Sequence, residues 1–241
     1  IWESPLMKNI NNAGRIISKD FEIFYMSFTS GYKYTKEGSS NLEIPSPQNI
    51  DPSIIDGKII KINSTSGLHS IFSYGHRNPQ GLFMDSSLKI YQTEHGPKGG
   101  DEFNWLEEGK NYGWPLSSHG VNQTNYKNIY GTMGRHDKFT KPIFSWGPGI
   151  GISNLIRLKN FHDYWNQDFL ILSLKNQSIY RLRLDVNKVE FVEKIWIGHR
   201  LRDIAQHKNK LFIWTDDKKL IVIKAIDTTE RSFVDVRAPI I

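Results

Sequence analysis

The sequence predicts an all-β fold built from repeated antiparallel sheets. Helical patterns are scarce, because few windows place apolar residues at i, i+3, i+4 and i+7 over three turns. Short runs rich in β-branched and aromatic residues recur instead, several of them in pairs. The runs return roughly every 40 to 80 residues, and a period of about 40–50 residues is typical of β-propeller blades. A β-sandwich with long insertions is the competing fold.

The candidate strands pass through β-branched and aromatic residues, and most end in polar or charged ones. Only about four polar residues separate two of the later runs, which predicts a hairpin across 167–185. The segment 161–169 is a short helix candidate, and 39–53 has the composition of an extended surface loop. The predicted strands lie within 21–29, 57–63, 87–94, 167–175, 178–185, 209–217 and 219–226.

Composition limits the classes of function. The 241 residues suffice for one large β domain or two smaller ones. Without a run of 18 apolar residues, no membrane span is predicted. The net charge of +6 comes from Lys and Arg scattered among acids, which is typical of a solvated surface and not of a nucleic-acid footprint, and leaves an anionic small ligand open. The absence of cysteine excludes disulfides, zinc–thiolate sites and thiol catalysis.

Four loop motifs occur in a fixed order, and each by itself could be turn chemistry. They are GHRNPQGL (75–82), TEHGPKGGDEFNWLEEGKNYGWP (93–115), SLKNQSIYRLRLD (173–185), and GHRLRDIAQ (198–206) with LFIWTDD (211–217). From about residue 10 to residue 226, their order and spacing resemble the soluble glucose/sorbosone dehydrogenase family, also called aldose sugar dehydrogenases.

That resemblance implies a six-bladed β-propeller, periplasmic or secreted, that uses pyrroloquinoline quinone (PQQ) and Ca²⁺ to oxidise the anomeric hydroxyl of aldose sugars. A complete member is longer than this chain. We therefore expect 1–241 to be a single partial propeller domain holding roughly the last four blades, with the missing portion before Ile1. The tail 228–241 has no role that we can interpret.

The resemblance implies five residues on the cofactor's binding face. Arg77 and Asn78 match two positions there, and Arg suits a quinone with three carboxylates because its donor fork pairs bidentately with carboxylate oxygens. The alternative is that Asn-Pro only makes a turn and Arg77 lies in solvent. Lys175, Arg200 and Arg202 match the other cationic positions. The two arginines are two residues apart, so on a strand both would face one side and could hold one anion; alone, RLR is typical of a solvated strand face.

Four residues match metal positions of the family. Gly96 and Pro97 correspond to the place where backbone carbonyls, which are hard oxygen donors, hold the catalytic Ca²⁺. Glu102 through its carboxylate and Tyr112 through its main-chain carbonyl match a second, structural Ca²⁺ site. The alternative for Glu102 is an exposed acid in an acidic loop, and Asp101 is expected to support that loop. In the motifs, His76 and His95 are expected to be structural histidines and not proton-transfer groups.

One position departs from the family. The general base is a His just upstream of a Gly-Arg pair, here Gly14-Arg15, and its position falls on Asn11, whose amide has no accessible basic site. The acidic neighbour falls near Ser30, and no His occurs before His69. A slipped alignment, binding without catalysis, or another base would each explain this.

Two hypotheses about function follow. One is a PQQ- and Ca²⁺-dependent oxidation of a small-molecule aldose sugar. The other is a non-catalytic propeller that binds carbohydrate, quinone or a protein partner on the same face, which Asn11 favours. Neither involves nucleic acid or a membrane span, and a homodimer is left open.

Overall fold

The computed structural model describes residues 14–30, 55–120, 136, 138–226 and 236–237, and almost all of the regular structure in them is β. No helix in these residues is long and apolar enough to cross a membrane. A short 3-10 helix covers Asp163–Trp165. The strands are β1 Ile16–Ser18, β2 Ile23–Ser27, β3 Lys58–Asn63, β4 His69–Tyr74, β5 Pro79–Met84, β6 Ile90–Glu94, β7 Asp101–Leu106, β8 Phe144–Trp146, β9 Ile152–Arg157, β10 Phe169–Ser173, β11 Ser178–Asp185, β12 Lys188–Trp196, β13 Leu201–His207, β14 Lys210–Thr215, β15 Leu220–Lys224 and β16 Val236–Arg237.

The strands form four sheets of four, and each sheet uses four consecutive strands. The orders are β1-β2-β3-β4, β5-β6-β7-β8, β12-β11-β10-β9 and β13-β14-β15-β16, and every pairing is antiparallel. A four-stranded antiparallel sheet made in chain order is the repeating unit of a β-propeller. The predicted all-β class with repeated antiparallel sheets is therefore confirmed.

The chain divides into two compact units, Ile1–Gly149 and Ile150–Ile241. The first contains the first two sheets. One of its apolar clusters joins buried residues of both sheets, among them Phe72 of β4, Leu82 of β5 and Ile90 of β6. A hydrogen bond from Arg15 Nε to the Gln80 carbonyl, 3.3 Å long, also links these two sheets.

The second unit contains the other two sheets. All five residues of β10 are buried, as expected for a strand with an uninterrupted apolar run that is covered on both faces. Six of the nine residues of the outer strand β12 are instead exposed, and three of these six are charged. Ser153 Oγ donates to the Leu201 carbonyl at 2.6 Å, which joins β9 to β13.

Most predicted elements are confirmed. Each predicted strand run contains an observed strand, and 167–185 forms the β10–β11 hairpin. The helix predicted over 161–169 is wrong, because only one 3-10 turn forms there before the buried β10 begins. The tail 228–241 and the loop 39–53 lie outside the described residues, except for β16. The single-domain organisation and the number of missing blades stay predictions.

Candidate functional site

Arg77 lies in the loop between β4 and β5 and is half-buried. Its Nη1 donates to the His95 carbonyl at 3.1 Å, and its backbone amide donates to Glu94 Oε2 at 3.2 Å. The guanidinium carbon lies 5.4 Å from the centroid of the Trp114 ring, within cation–π range. The Ser30 amide donates to the Arg77 carbonyl at 2.8 Å. The guanidinium is thus held in place, and the alternative of a solvent-exposed Arg77 is wrong.

Asn78 is occupied by bonds that shape the same loop. Its Oδ1 accepts from Thr29 Oγ1 at 3.0 Å and from Gln80 Nε2 at 2.9 Å. Its carbonyl accepts from the His95 amide at 3.0 Å. Asn78 therefore links the segments that contain Thr29, Gln80 and His95. Its contact with a cofactor stays a prediction.

The 95–101 loop is closed tightly on itself. A Cβ on Gly96 would lie 2.0 Å from the Gly99 carbonyl oxygen and 2.4 Å from that of Gly100, so only glycine fits there. The Gly96 amide donates to Asp101 Oδ1 at 3.2 Å, and that carboxylate oxygen lies 3.8 Å from His95 Nδ1. The expected support of this loop by Asp101 is confirmed.

One small cavity brings several predicted residues together. Arg77, Gly96, Glu102 and Tyr112 line it, so a predicted cofactor residue and three of the four predicted metal residues meet there. Neither Asn78 nor Pro97 is among its lining residues. The cavity therefore joins the first two motifs into one site.

A chain of buried polar side chains runs beneath this cavity. Ser73 Oγ and His76 Nε2 are 2.9 Å apart, and His76 Nδ1 lies 3.4 Å from Glu94 Oε2. Gln92 Nε2 donates to Glu94 Oε2 at 3.1 Å, and Asn104 Nδ2 donates to Gln92 Oε1 at 3.0 Å. The expected structural role of His76 is confirmed.

Glu94 is the centre of that chain. Burial by itself raises the pKa of its carboxyl group, but the hydrogen bonds from His76, Gln92 and the Arg77 amide outweigh burial and leave the pKa below its usual value. The carboxylate is therefore the favoured form in the folded protein.

Glu102 is the second residue of β7 and only 4% exposed, so the alternative of an exposed loop acid is wrong. Its Oε1 lies 3.5 Å from His119 Nδ1 and 3.6 Å from His136 Nε2, while Asn104 Nδ2 approaches Oε2 at 3.5 Å. Burial raises the pKa of Glu102 to about 7, although His119 acts in the opposite direction.

The sequence analysis did not find His119 and His136. Neither belongs to a short metal-binding pattern, and the chain between them is long, so sequence gives no signal that they meet.

The side chain of Tyr112 is also buried: its hydroxyl donates to the Trp105 carbonyl at 2.6 Å, and its ring stacks on His76 with centroids 4.8 Å apart.

The second unit contains the remaining cations. Arg200 Nε donates to Asp216 Oδ2 at 2.9 Å, and Arg202 donates to Oδ1 through Nε at 2.9 Å and Nη2 at 2.6 Å. The two arginines thus share one carboxylate, that of Asp216, and their contact with a cofactor stays a prediction. The pKa of Asp216 is lowered by the hydrogen bonds from Arg202 and then Arg200. Lys175, just after β10, is exposed.

Asn11, at the position of the family's base, lies outside the described residues. Ser30, at the position of its acidic neighbour, is described, and its amide bonds to the Arg77 loop as given above. That Ser30 stands where the family has an acidic residue stays a prediction.

Comparisons with known proteins identify the family. The model of the Glucose / Sorbosone dehydrogenase family matches residues 5–224. An uncharacterized protein of Synechocystis sp. is 35% identical over 177 residues, 66% of this chain and 43% of that protein. The aldose sugar dehydrogenase YliI of Escherichia coli is 30% identical over 213 residues, 80% of this chain and 56% of that protein. The chain thus spans about half the length of these relatives.

Solved structures give the same result. The soluble aldose sugar dehydrogenase of Escherichia coli, in its apo form, superposes with a TM-score of 0.69 at 26% identity and covers 85% of this chain and 60% of that one. The PQQ-bound aldose sugar dehydrogenase of Streptomyces coelicolor superposes with a TM-score of 0.60 at 22% identity, covering 86% and 56%, which supports the fold.

Proposed function

Since the chain belongs to the glucose/sorbosone dehydrogenase family, we propose that it takes part in the PQQ-linked oxidation of aldose sugars at the anomeric hydroxyl. The observation that carries the proposal is the fixed guanidinium of Arg77 at a cavity that Gly96 also lines. A cation held beside a backbone loop suits an anionic cofactor bound together with a hard metal ion. Relatives named as aldose sugar dehydrogenases support this assignment.

The protein's part in this chemistry is to bind and orient. When bound, PQQ supplies the two-electron acceptor for the sugar's hydride. The guanidinium of Arg77 would pair with a cofactor carboxylate, and Lys175, Arg200 and Arg202 would supply further positive charge. The carbonyls of Gly96 and Pro97 would hold Ca²⁺, because a loop this tight leaves backbone oxygens as its donors.

Asp216 gives the arginine pair a specific chemistry. Both guanidiniums already bind a carboxylate, so the pair is shaped for that group. A cofactor carboxylate would take the place of Asp216 on at least one arginine. The donor set of the pair therefore fits an acidic quinone.

The second candidate is a propeller that binds its ligand and does not oxidise it. Asn11 favours it, because an amide cannot accept the proton of the sugar hydroxyl near neutral pH. Under this alternative the same cations bind carbohydrate, quinone or a protein partner.

A dye-reduction assay separates the two candidates. The chain, its Asn11→His variant and its Arg77→Ala variant are each supplied with PQQ, Ca²⁺ and an aldose, and quinone binding is measured by calorimetry. Oxidation by the unsubstituted chain supports the enzyme, and activity that appears only with Asn11→His supports the binding protein. Quinone binding that is undetectable, or that Arg77→Ala leaves unchanged, would contradict the assignment of this site.

We further propose a compartment and an assembly for the protein. Kinship with aldose sugar dehydrogenases supports a periplasmic or secreted protein with a small sugar as substrate. A homodimer is the assembly to test by light scattering. The whole protein's activity is part of the proposal, because this chain spans only part of its relatives.

A further inference from the structure

Three side chains that could bind one metal ion converge beside the cavity. Glu102 on β7, His119 and His136 each present one donor atom, and these three atoms lie within 4.8 Å of one another. Glu102 and His136 are almost fully buried, and His119 is partly so. The two imidazole rings lie 4.6 Å apart, tilted by 42°. The donor atoms of two imidazoles and one carboxylate thus lie close together at a largely buried place.

The distances fit an ion better than direct hydrogen bonds. Oε1 of Glu102 lies 3.5 Å from His119 Nδ1 and 3.6 Å from His136 Nε2. Direct N–H···O bonds in proteins are usually about 2.7–3.2 Å long. A tetrahedral ion with ligands at 2.0–2.2 Å holds those ligands about 3.4 Å from each other. The two Glu102–histidine separations are therefore close to those of ligands around a small cation, and all three donor atoms lie within 4.8 Å of one another.

The groups behind the donors hold the carboxylate in orientation. Asn104 Nδ2 approaches the other Glu102 oxygen at 3.5 Å and is itself fixed by Gln92 at 3.0 Å. The Gly100 backbone, two residues before Glu102, lies so close to Gly120, which follows His119, that an added Cβ would be 2.2 Å from the Gly120 nitrogen. Contacts of this kind, made by residues on a strand or next to it, hold metal-binding side chains in a fixed orientation.

The donor set selects the metal. Ca²⁺ takes oxygen ligands, whereas imidazole suits Zn²⁺ and neighbouring transition metals. Two imidazoles and one carboxylate are a known zinc ligand set, and a fourth position is left for water. This donor set does not fit the structural Ca²⁺ that the family resemblance implies at Glu102 and Tyr112.

We propose that Glu102, His119 and His136 bind one divalent transition-metal ion of the zinc type. The ion ties the segment that carries His119, and His136 beyond it, to strand β7. It would do so beside the Arg77 and Gly96 cavity without taking part in the oxidation itself. The inference does not depend on quinone binding or on activity.

The test uses the full chain, stripped with a chelator and titrated with Zn²⁺ alone, with Ca²⁺ alone, and with Zn²⁺ in excess Ca²⁺. We expect one Zn²⁺ per chain, bound at least 100-fold more tightly than Ca²⁺. At a Zn²⁺ concentration 100 times its Kd, the melting temperature should rise by about 5–10 °C. Preference for Ca²⁺, or the absence of a stoichiometric Zn²⁺ site, would overturn the proposal.

Matched variants assign the ligands. His119→Ala, His136→Ala and Glu102→Gln should each weaken Zn²⁺ binding at least 100-fold, and His207→Ala, at an exposed end of β13, should leave it unchanged. Co²⁺ provides a second readout, because His119→Ala should abolish the visible absorption of tetrahedral Co²⁺. His119 is the more exposed of the two histidines, so a folded variant is expected and circular dichroism checks it. Unaltered Zn²⁺ affinity in both histidine variants would refute the site.

Discussion

Replacing His76 by Ala tests the buried polar chain beneath the cavity. His76 is fully buried, and its Nδ1 lies 3.4 Å from the carboxylate of Glu94, which is 4% exposed. His76→Ala removes this neighbour, its contact with Ser73 and its stacking on Tyr112. The remaining donors to Glu94 are the Gln92 amide and the Arg77 backbone amide. The variant therefore leaves the buried Glu94 carboxylate with fewer contacts to offset the cost of its burial.

The expected loss of stability is about 3–5 kcal/mol. The variant leaves the buried Glu94 carboxylate without one hydrogen-bonding neighbour, and it truncates a fully buried ring to a methyl group; together these two effects cost about that much. A lost hydrogen bond to a charged group alone would account for about 1.5–3 kcal/mol. With a urea m-value of about 3 kcal/mol/M, the midpoint should fall by about 1–2 M.

Urea unfolding at neutral pH, followed by tryptophan fluorescence, measures this shift. His207→Ala is the matched control and should change stability by less than about 0.5 kcal/mol, because that side chain is exposed. In the double variant His76→Ala/Glu94→Gln, the loss in free energy of unfolding should be smaller than the sum of the two single-variant losses by about 1–3 kcal/mol. If His76→Ala unfolds at the same urea concentration as His207→Ala, the pair does not stabilise the fold.

Three further variants test the other features. Tyr112→Phe should cost about 1–3 kcal/mol in urea unfolding, because it removes a buried hydroxyl bonded to the Trp105 carbonyl; no loss would argue against that bond. Gly100→Ala should lower the melting temperature by several degrees, because Gly100 has a φ of +70° and an added Cβ would meet the Gly120 nitrogen; an unchanged melting temperature would contradict this. Asp216→Asn should tighten PQQ binding in calorimetry by freeing the arginine pair, and weaker binding would contradict competition. Because the folded pKa of Asp216 is lowered, its stabilisation, below about 1 kcal/mol, is present above its unfolded pKa of about 3.9 and lost as pH falls through the folded value, so the stability gap to Asp216→Asn should close in acid.

The sequence predicted much of the fold, because apolar periodicity is a local property. The runs that form β10 and β11 predict a hairpin, because both contain β-branched or other apolar residues and the linker between them is polar. β7 was harder to recognise. Its first two residues, Asp101 and Glu102, look like loop residues by composition, but the strand buries both. Burial of a carboxylate depends on partners from elsewhere in the chain, which local pattern does not report.

Sequence spacing can predict which side chains are neighbours when they are close in the chain. Arg200 and Arg202 are two residues apart and both bind Asp216, although Arg200 precedes β13. Their role at a cofactor stays a prediction. The meeting of Glu102 with His119 and His136 could not be predicted in this way. It results from tertiary packing between segments that share no spacing pattern.

The arginine pair that holds Asp216 also has a consequence for selectivity. Because the two guanidiniums already share a carboxylate, much of their positive charge is neutralised. They therefore attract chloride or a small monocarboxylic acid only weakly. An incoming anion must exchange with a side chain that is tethered beside the arginines and so has a high effective concentration. A molecule with several carboxylates can meet that competition by binding at more than one point, whereas a monoacid cannot. The internal ion pair would thus discriminate among anions by their number of charged groups and keep common cellular anions off this surface.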